Sequence, residues 1–175
     1  MKRRESDRVE LIKNESRKVK KEFIKDPKIE GLILQLGETE NKKVLLACGD
    51  LLLHLELNQL IKSQEKDKAK EVIIYEKMKA EIYKILEDLS STLTYRDFDF
   101  IKNNEKEAII RVLNFLIEKN KEGLLLEIAK KSNDDYIAKH VAWYFIRKGD
   151  NEKIREINAE AICLTIKNLT AQKVN

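Results

Sequence analysis

The chain has 175 residues, of which 38% are charged and 42% hydrophobic, with one Pro, five Gly and a net charge of +4. So few chain breakers in a chain dominated by Lys, Glu, Leu and Ile point to helices almost throughout, and the abundant, periodic apolar residues exclude a disordered chain. A Gly-rich phosphate cradle is excluded as well, because the glycines stand apart at 31, 37, 49, 123 and 149.

Charge is unevenly placed. Residues 1–28 hold eleven Lys/Arg against six Asp/Glu, and over the rest of the chain the two signs nearly cancel. Within this basic start, Asp7–Lys25 reads as an amphipathic helix, with Val9, Ile12, Val19 and Phe23 on one stripe. Arg3, Arg17, Lys18, Lys21 and Lys25 fall on the opposite face, so residues 1–26 form a basic amphipathic N-terminal helix. Such a face suits nucleic-acid phosphates or an acidic protein, and an ordinary solvated helix is the plainer reading. No aromatic residue interleaves the charges, so base stacking is not expected there. The charged residues Met1–Glu5 lack the apolar core of a signal peptide.

Pro27 ends this helix, because the residue before a proline is pushed out of helical angles. Lys28–Leu36 follows as a short helix with Gly37 as its C-terminal cap. The next helix runs from Asn41 to Lys62 and is apolar on nearly every face, as expected of a helix surrounded by others. Its run Val44–Leu57 is interrupted by Asp50, His54 and Glu56 and is too short to span a bilayer. After a charged connection at Ser63–Lys68 comes the longest helix, Lys70–Ser91. Tyr75, Met78, Ile82, Ile85 and Leu89 step along it by threes and fours. That seam covers the chain's own helices or, as the sharper alternative, a second copy of the chain.

Thr92–Ile101 is the least regular segment, either a short helix opened by Thr94 or a loop pinned by Tyr95, Phe98 and Phe100. Asn104 with Glu107 makes a capping signal for a helix to about Lys119, burying Ile109, Val112, Leu113, Leu116 and Ile117. Glu122–Lys131 and Asp135–Lys148 form an αα pair, with Gly149 as the stop and Asp150 as the next cap. Asn151–Ile157 as a short turn and Ala159–Leu169 as a final helix close the chain. No segment has the β-branched alternation of a strand. The expectation is an all-α single domain over 1–175, with about eight or nine helices in antiparallel αα-hairpins, arranged as a short solenoid or an orthogonal bundle.

The stretches Leu32–Val44 and Leu125–Ile137 resemble HEAT and armadillo repeats. In each, an apolar helix ends, an acidic turn follows, and a second helix starts on an aliphatic residue and carries small residues inside, Ala47 and Gly49 in one, Ala138 and Ala142 in the other. The resemblance implies stacked helix pairs and a curved binding surface rather than a catalytic pocket.

Chemistry-bearing residues are sparse. His54 lies one turn after Asp50, which predicts a local Asp–His hydrogen bond, and no further ligands stand nearby in sequence to complete a metal site. His140 reads as a packed or surface histidine. Cys48 and Cys163 sit inside apolar patterns, so both are expected as buried free thiols in a cytoplasmic protein. No catalytic, cofactor-binding or metal-binding residue is nominated. Trp143, Tyr144 and Phe145 span most of a helix circumference, so at least one points away from a single packing face. Phe145 reads as core, and Trp143 or Tyr144 as a candidate protein-partner anchor. The functional expectation is a non-catalytic helical adaptor or accessory subunit that binds a protein partner in a larger intracellular assembly. The alternative is a nucleic-acid-binding accessory subunit using the basic helix.

Overall fold

In a computed structural model the described residues are 9, 10, 13, 27–62 and 68–174. Among them are eight α-helices, two short 3₁₀ helices and no strand, an all-α architecture. The basic-stripe residues Arg3, Arg17, Lys18, Lys21 and Lys25 lie outside the described residues. Composition marks no break in the chain, yet contacts cluster into two compact units, Met1–Ser91 and Thr92–Asn175.

In the first unit α1 is Pro27–Gln35, α2 is Asn41–Lys62 and α3 is Lys68–Ser90. Pro27 opens α1, where its missing N–H costs nothing. Ile29, Leu32, Ile33 and Leu36 give α1 one buried stripe against α2. Gly37 is not the left-handed cap the sequence suggests, since its φ lies outside the left-handed region. Its role is room: a Cβ there would lie 3.0 Å from Val9 Cγ2. Helix α2 buries Val44, Leu45, Ala47, Cys48, Leu51, Leu52 and Leu55 and packs on both α1 and α3. The α3 seam is buried throughout: Tyr75, Met78, Ile82, Ile85 and Leu89 are all covered within the single chain.

The second unit begins with a 3₁₀ turn, Tyr95–Phe98. Thr94 opens it, its N–H and hydroxyl both donating to Asp97 Oδ2 (2.8 and 3.2 Å). Of the three rings in this segment, Phe98 is buried and Phe100 is exposed. A second 3₁₀ turn, Asn103–Glu105, leads into α4 (Lys106–Glu118). The Asn104–Glu107 capping signal is displaced: the reach-back bond runs from Lys102 N–H to Glu105 Oε2 at 2.9 Å, and Glu107 instead pairs with Arg111 at 2.6 Å. The extra 3₁₀ turn shifts the start of α4 and therefore the cap.

Helices α5 (Glu122–Lys131) and α6 (Asp135–Lys148) fall where their end signals place them. Asp134 accepts from the N–H groups of Tyr136 and Ile137 (3.0 and 3.1 Å), and Gly149 at φ 73° ends α6. With Asp150 N–H donating to Phe145 O (3.2 Å) and Gly149 N–H to Ile146 O (3.1 Å), this end has the Schellman pattern. Asp150 then caps α7 (Asn151–Glu160) through Lys153 N–H at 3.2 Å. The chain's last two elements differ from expectation. The segment after Asp150 is a full helix rather than a turn, and the break falls at Ala161–Cys163, before α8 (Leu164–Val174). No Gly or Pro marks that break. It is set by tertiary bonds, chiefly Ile162 N–H to Lys130 O at 2.9 Å. Helix α6 touches α4, α5, α7 and α8, and its Ile137, Ala138, Val141, Ala142 and Phe145 are fully buried.

Two glycines of the second unit should respond oppositely to alanine. Gly149→Ala forces a side chain into the left-handed region and should destabilise by about 1 kcal/mol. Gly123 lies in the first turn of α5 with nothing within 4 Å of an added Cβ, so Gly123→Ala should be neutral to stabilising by about 0.5 kcal/mol. Urea denaturation followed by circular dichroism measures both.

Candidate functional site

Two ion clusters, both in the second unit, organise its polar groups. In the first, the Lys130 ammonium is only 7% exposed and faces Glu156 Oε1 (2.6 Å), Glu160 Oε2 (3.1 Å) and Glu127 Oε1 (3.4 Å). Three carboxylates outweigh the cost of burial and hold Lys130 above the ordinary lysine range, the Glu156 bond contributing most. This cluster ties α5 to α7.

In the second, Glu122 at the start of α5 accepts from Lys148 of α6, from Lys153 of α7 (2.6 Å) and from the Tyr144 hydroxyl (3.2 Å). The hydrogen bonds from Lys148 and then Lys153 pull the Glu122 carboxyl from 4.5 down to about 2. Apart from Glu127, whose partners Lys130 and Lys131 lie on its own helix, every member of these clusters is bonded to another element of the same fold, so their perturbed protonation is accounted for structurally.

The histidines take local partners. His54 Nδ1 lies 2.7 Å from the backbone carbonyl of Asp50, so the expected Asp–His contact is to the main chain rather than the carboxylate. His140 Nε2 lies 3.0 Å from Asn114 Oδ1, and burial, then the Arg147 charge, lowers its proton affinity. Cys48 and Cys163 are free and buried. Burial first, then the Asp135 carboxylate, pushes the Cys163 thiol up to about 12. Among the described residues no group of three or more His, Cys, Asp or Glu is arranged to hold a metal ion, and no helix is long and apolar enough to cross a membrane.

Of the proposed partner anchors, Trp143 and Tyr144 are both half-buried, beside the fully buried Phe145. Tyr144 meets Phe145 edge-on at 5.0 Å and spends its hydroxyl on Glu122. The seam residues Tyr75, Met78, Ile82, Ile85 and Leu89 are buried inside the chain and present nothing for a second copy to grip.

The large exposed apolar side chains lie elsewhere. In the second unit they are Phe100 (80% exposed), Leu164 (71%), Ile162 (66%) and Tyr136 (46%). Three connections bring these segments to one end of the unit. The Ser132–Asn133 peptide group is held on one side by Asp99 Oδ1, which accepts from Asn133 N–H at 3.1 Å. On the other side its carbonyl accepts from Cys163 Sγ at 3.3 Å. Thr165 Oγ1 donates to Asp135 Oδ2 at 2.9 Å, adding a third stitch beside Tyr136. Phe100 and the Ile162–Leu164 pair therefore flank a single turn.

Two features set this end apart. Phe100 has φ 54°, a left-handed conformation that bulky residues avoid. In the segment Ala161–Leu164 the small residues Ala161 and Cys163 point inward while Ile162 and Leu164 point out, the reverse of what burial alone would select. Helical periodicity is blind to both, because Phe100 and Ala161–Cys163 are not helical and Leu164 is only the first residue of α8. The alternation of small and large apolar residues at 161–164 was the one available signal.

No family model matches this chain, and neither do curated proteins or solved structures.

The Glu122 cluster makes stability depend on acid. A carboxyl whose folded pKa is depressed contributes stability above its unfolded value, and that contribution is lost as pH falls from about 4.5 through about 2. Urea midpoints measured at pH 6 and pH 3 should show a smaller acid-induced drop in Glu122→Gln than in the native chain.

Proposed function

We propose that the chain is a non-catalytic helical adaptor or accessory subunit, cytoplasmic, that binds a protein partner within a larger intracellular assembly. The observation that carries this reading is the cluster of exposed large apolar side chains at one end of the second unit, Phe100, Ile162, Leu164 and Tyr136. The polar groups of the two ion clusters support it, since Glu122, Lys148, Lys153 and Lys130 bond across helices. Trp143 and Tyr144, half-buried on α6, remain secondary anchor candidates. Two helix pairs support a HEAT- or armadillo-like character: α1–α2 and α5–α6 each join two helices through a short polar turn, with Ala47, Gly49, Ala138 and Ala142 buried.

Affinity purification of the tagged native chain, with and without nuclease, tests the proposal. A protein recovered at defined stoichiometry after nuclease treatment is the expected outcome; recovery of nothing but nucleic acid overturns it.

A second reading rests on the surplus of five basic charges in residues 1–28. On that reading the chain is a nucleic-acid-binding accessory subunit using Arg3, Arg17, Lys18, Lys21 and Lys25. Binding to duplex DNA or RNA should then weaken at least tenfold (about 1.4 kcal/mol) between about 50 and 200 mM salt, and fail when Arg17, Lys18 and Lys21 become Glu. Filter binding across a salt series checks it, and a flat response removes it.

A further inference from the structure

We infer that the outward face of α6 binds single-stranded nucleic acid, stacking bases on Tyr136 and Trp143 and holding phosphates on Lys139 and Arg147. The ligand class is that of the second reading above, but the surface is a different one, made only of described residues.

The face is defined by what α6 buries. Ile137, Ala138, Val141, Ala142 and Phe145 point into the second unit. At about 100° per residue, Tyr136, Lys139, His140, Trp143 and Arg147 share an arc of about 100° on the opposite side. Tyr136, Lys139 and Arg147 are exposed, and His140 and Trp143 are half-buried. The solvent side of a helix is ordinarily charged or polar. This one carries two aromatic rings seven residues apart, about 10 Å along the axis. Each ring has a cation beside it. The Lys106 ammonium lies 5.3 Å from the Tyr136 ring centre, and Arg147 stands one turn beyond Trp143.

The groups on this face select the ligand. Lys139, Arg147 and the Trp143 indole can only donate, and neither cation has an ion-pair partner among the described residues. A carboxylate repels phosphate whether or not it is hydrogen-bonded, so every one nearby counts. Helices α6 and α8 pack together and carry Lys139, Arg147, Lys148, Lys167 and Lys173 against Asp135 alone. On the other flank, where Asn114 Oδ1 meets His140, α4 is balanced, with Lys106 and Arg111 against Glu107 and Glu118. Glu122 and the caps Asp134 and Asp150 are each paired with a lysine. The surplus is positive, and it surrounds rings. A nucleotide joins a flat base to a phosphate in every unit, which matches a ring beside a cation repeated along the helix. An acidic peptide supplies the charge without the repeated flat ring. The strand must be unpaired, because a duplex hides its base faces.

Fluorescence anisotropy of labelled dT and U oligonucleotides of about 20 units, titrated with the full chain, tests the inference. The native chain should bind both strands, less tightly as salt rises. Tyr136→Ala and Trp143→Ala should each weaken binding about fivefold or more. Lys139→Gln/Arg147→Gln should flatten the slope of log affinity against log salt by about 1.4, two phosphates at about 0.7 each. Tyr136, Lys139 and Arg147 are exposed, so their variants decide the matter even where circular dichroism shows that Trp143→Ala disturbs the fold. A native chain that binds neither strand overturns the inference, as does unchanged affinity in Tyr136→Ala or an unchanged salt slope. So does polyglutamate that displaces the strands as well as an unlabelled strand of equal charge. Binding that survives the α6 variants but fails when Arg17, Lys18 and Lys21 become Glu sinks this face and leaves the basic-helix reading standing. The converse result removes the basic helix and leaves this face.

Discussion

Helices that must be covered on more than one face are the constraint on which each unit is built. Helix α6 shows it most clearly, since its buried residues Ile137, Ala138, Val141, Ala142 and Phe145 meet four other helices of the second unit. Two alanines in that set let neighbours approach closely, and the large residues fill the remaining space. Helix α2 obeys the same rule between α1 and α3. Fully burying a Leu, Ile or Phe is worth about 1.5–3 kcal/mol, against about 0–1 kcal/mol for an exposed ion pair. Apolar burial therefore dominates cohesion, and the ion clusters select which helices sit side by side.

That division of labour explains the placement of Glu122 and Lys130. Both lie on α5, and they reach α6 and α7 from its two ends. Helix α5 is thus fixed in rotation and in register by charges at its ends while its middle is held by Leu125, Ile128 and Ala129. Lys130 is the costlier of the two to keep, because its ammonium is nearly out of water. It needs three carboxylates that themselves stay 37–54% exposed and so remain partly solvated.

Much of the fold is legible in the amino-acid sequence, for reasons that can be named. The bounds of α2, α5 and α6 follow from periodicity together with Asp134 and Gly149, residues whose end-capping chemistry is local. Where tertiary bonds decide, local chemistry is silent. The break at Ala161–Cys163 has no breaker residue and depends on Lys130 O, some thirty residues away in the chain. The start of α4 shifts because Lys102 and Glu105 form a 3₁₀ turn that competes with the Asn104 signal. The candidate surface shows the same limit. A run of three aromatic residues at 143–145 is conspicuous in sequence, but packing leaves Trp143 and Tyr144 only partly accessible. Phe100 and Ile162 project from irregular backbone and Leu164 from the first residue of α8, where no period tells inside from outside.

Cys163 carries a consequence for the chain's redox chemistry. Burial first, then the Asp135 carboxylate, suppresses its acidity, which favours the thiol over the thiolate. Peroxide and disulfide exchange act on the thiolate, so this environment disfavours oxidation of the sulfur. The turn that Cys163 helps to hold, through its bond to Ser132 O, thus depends on a sulfur kept in the protonated, donating form.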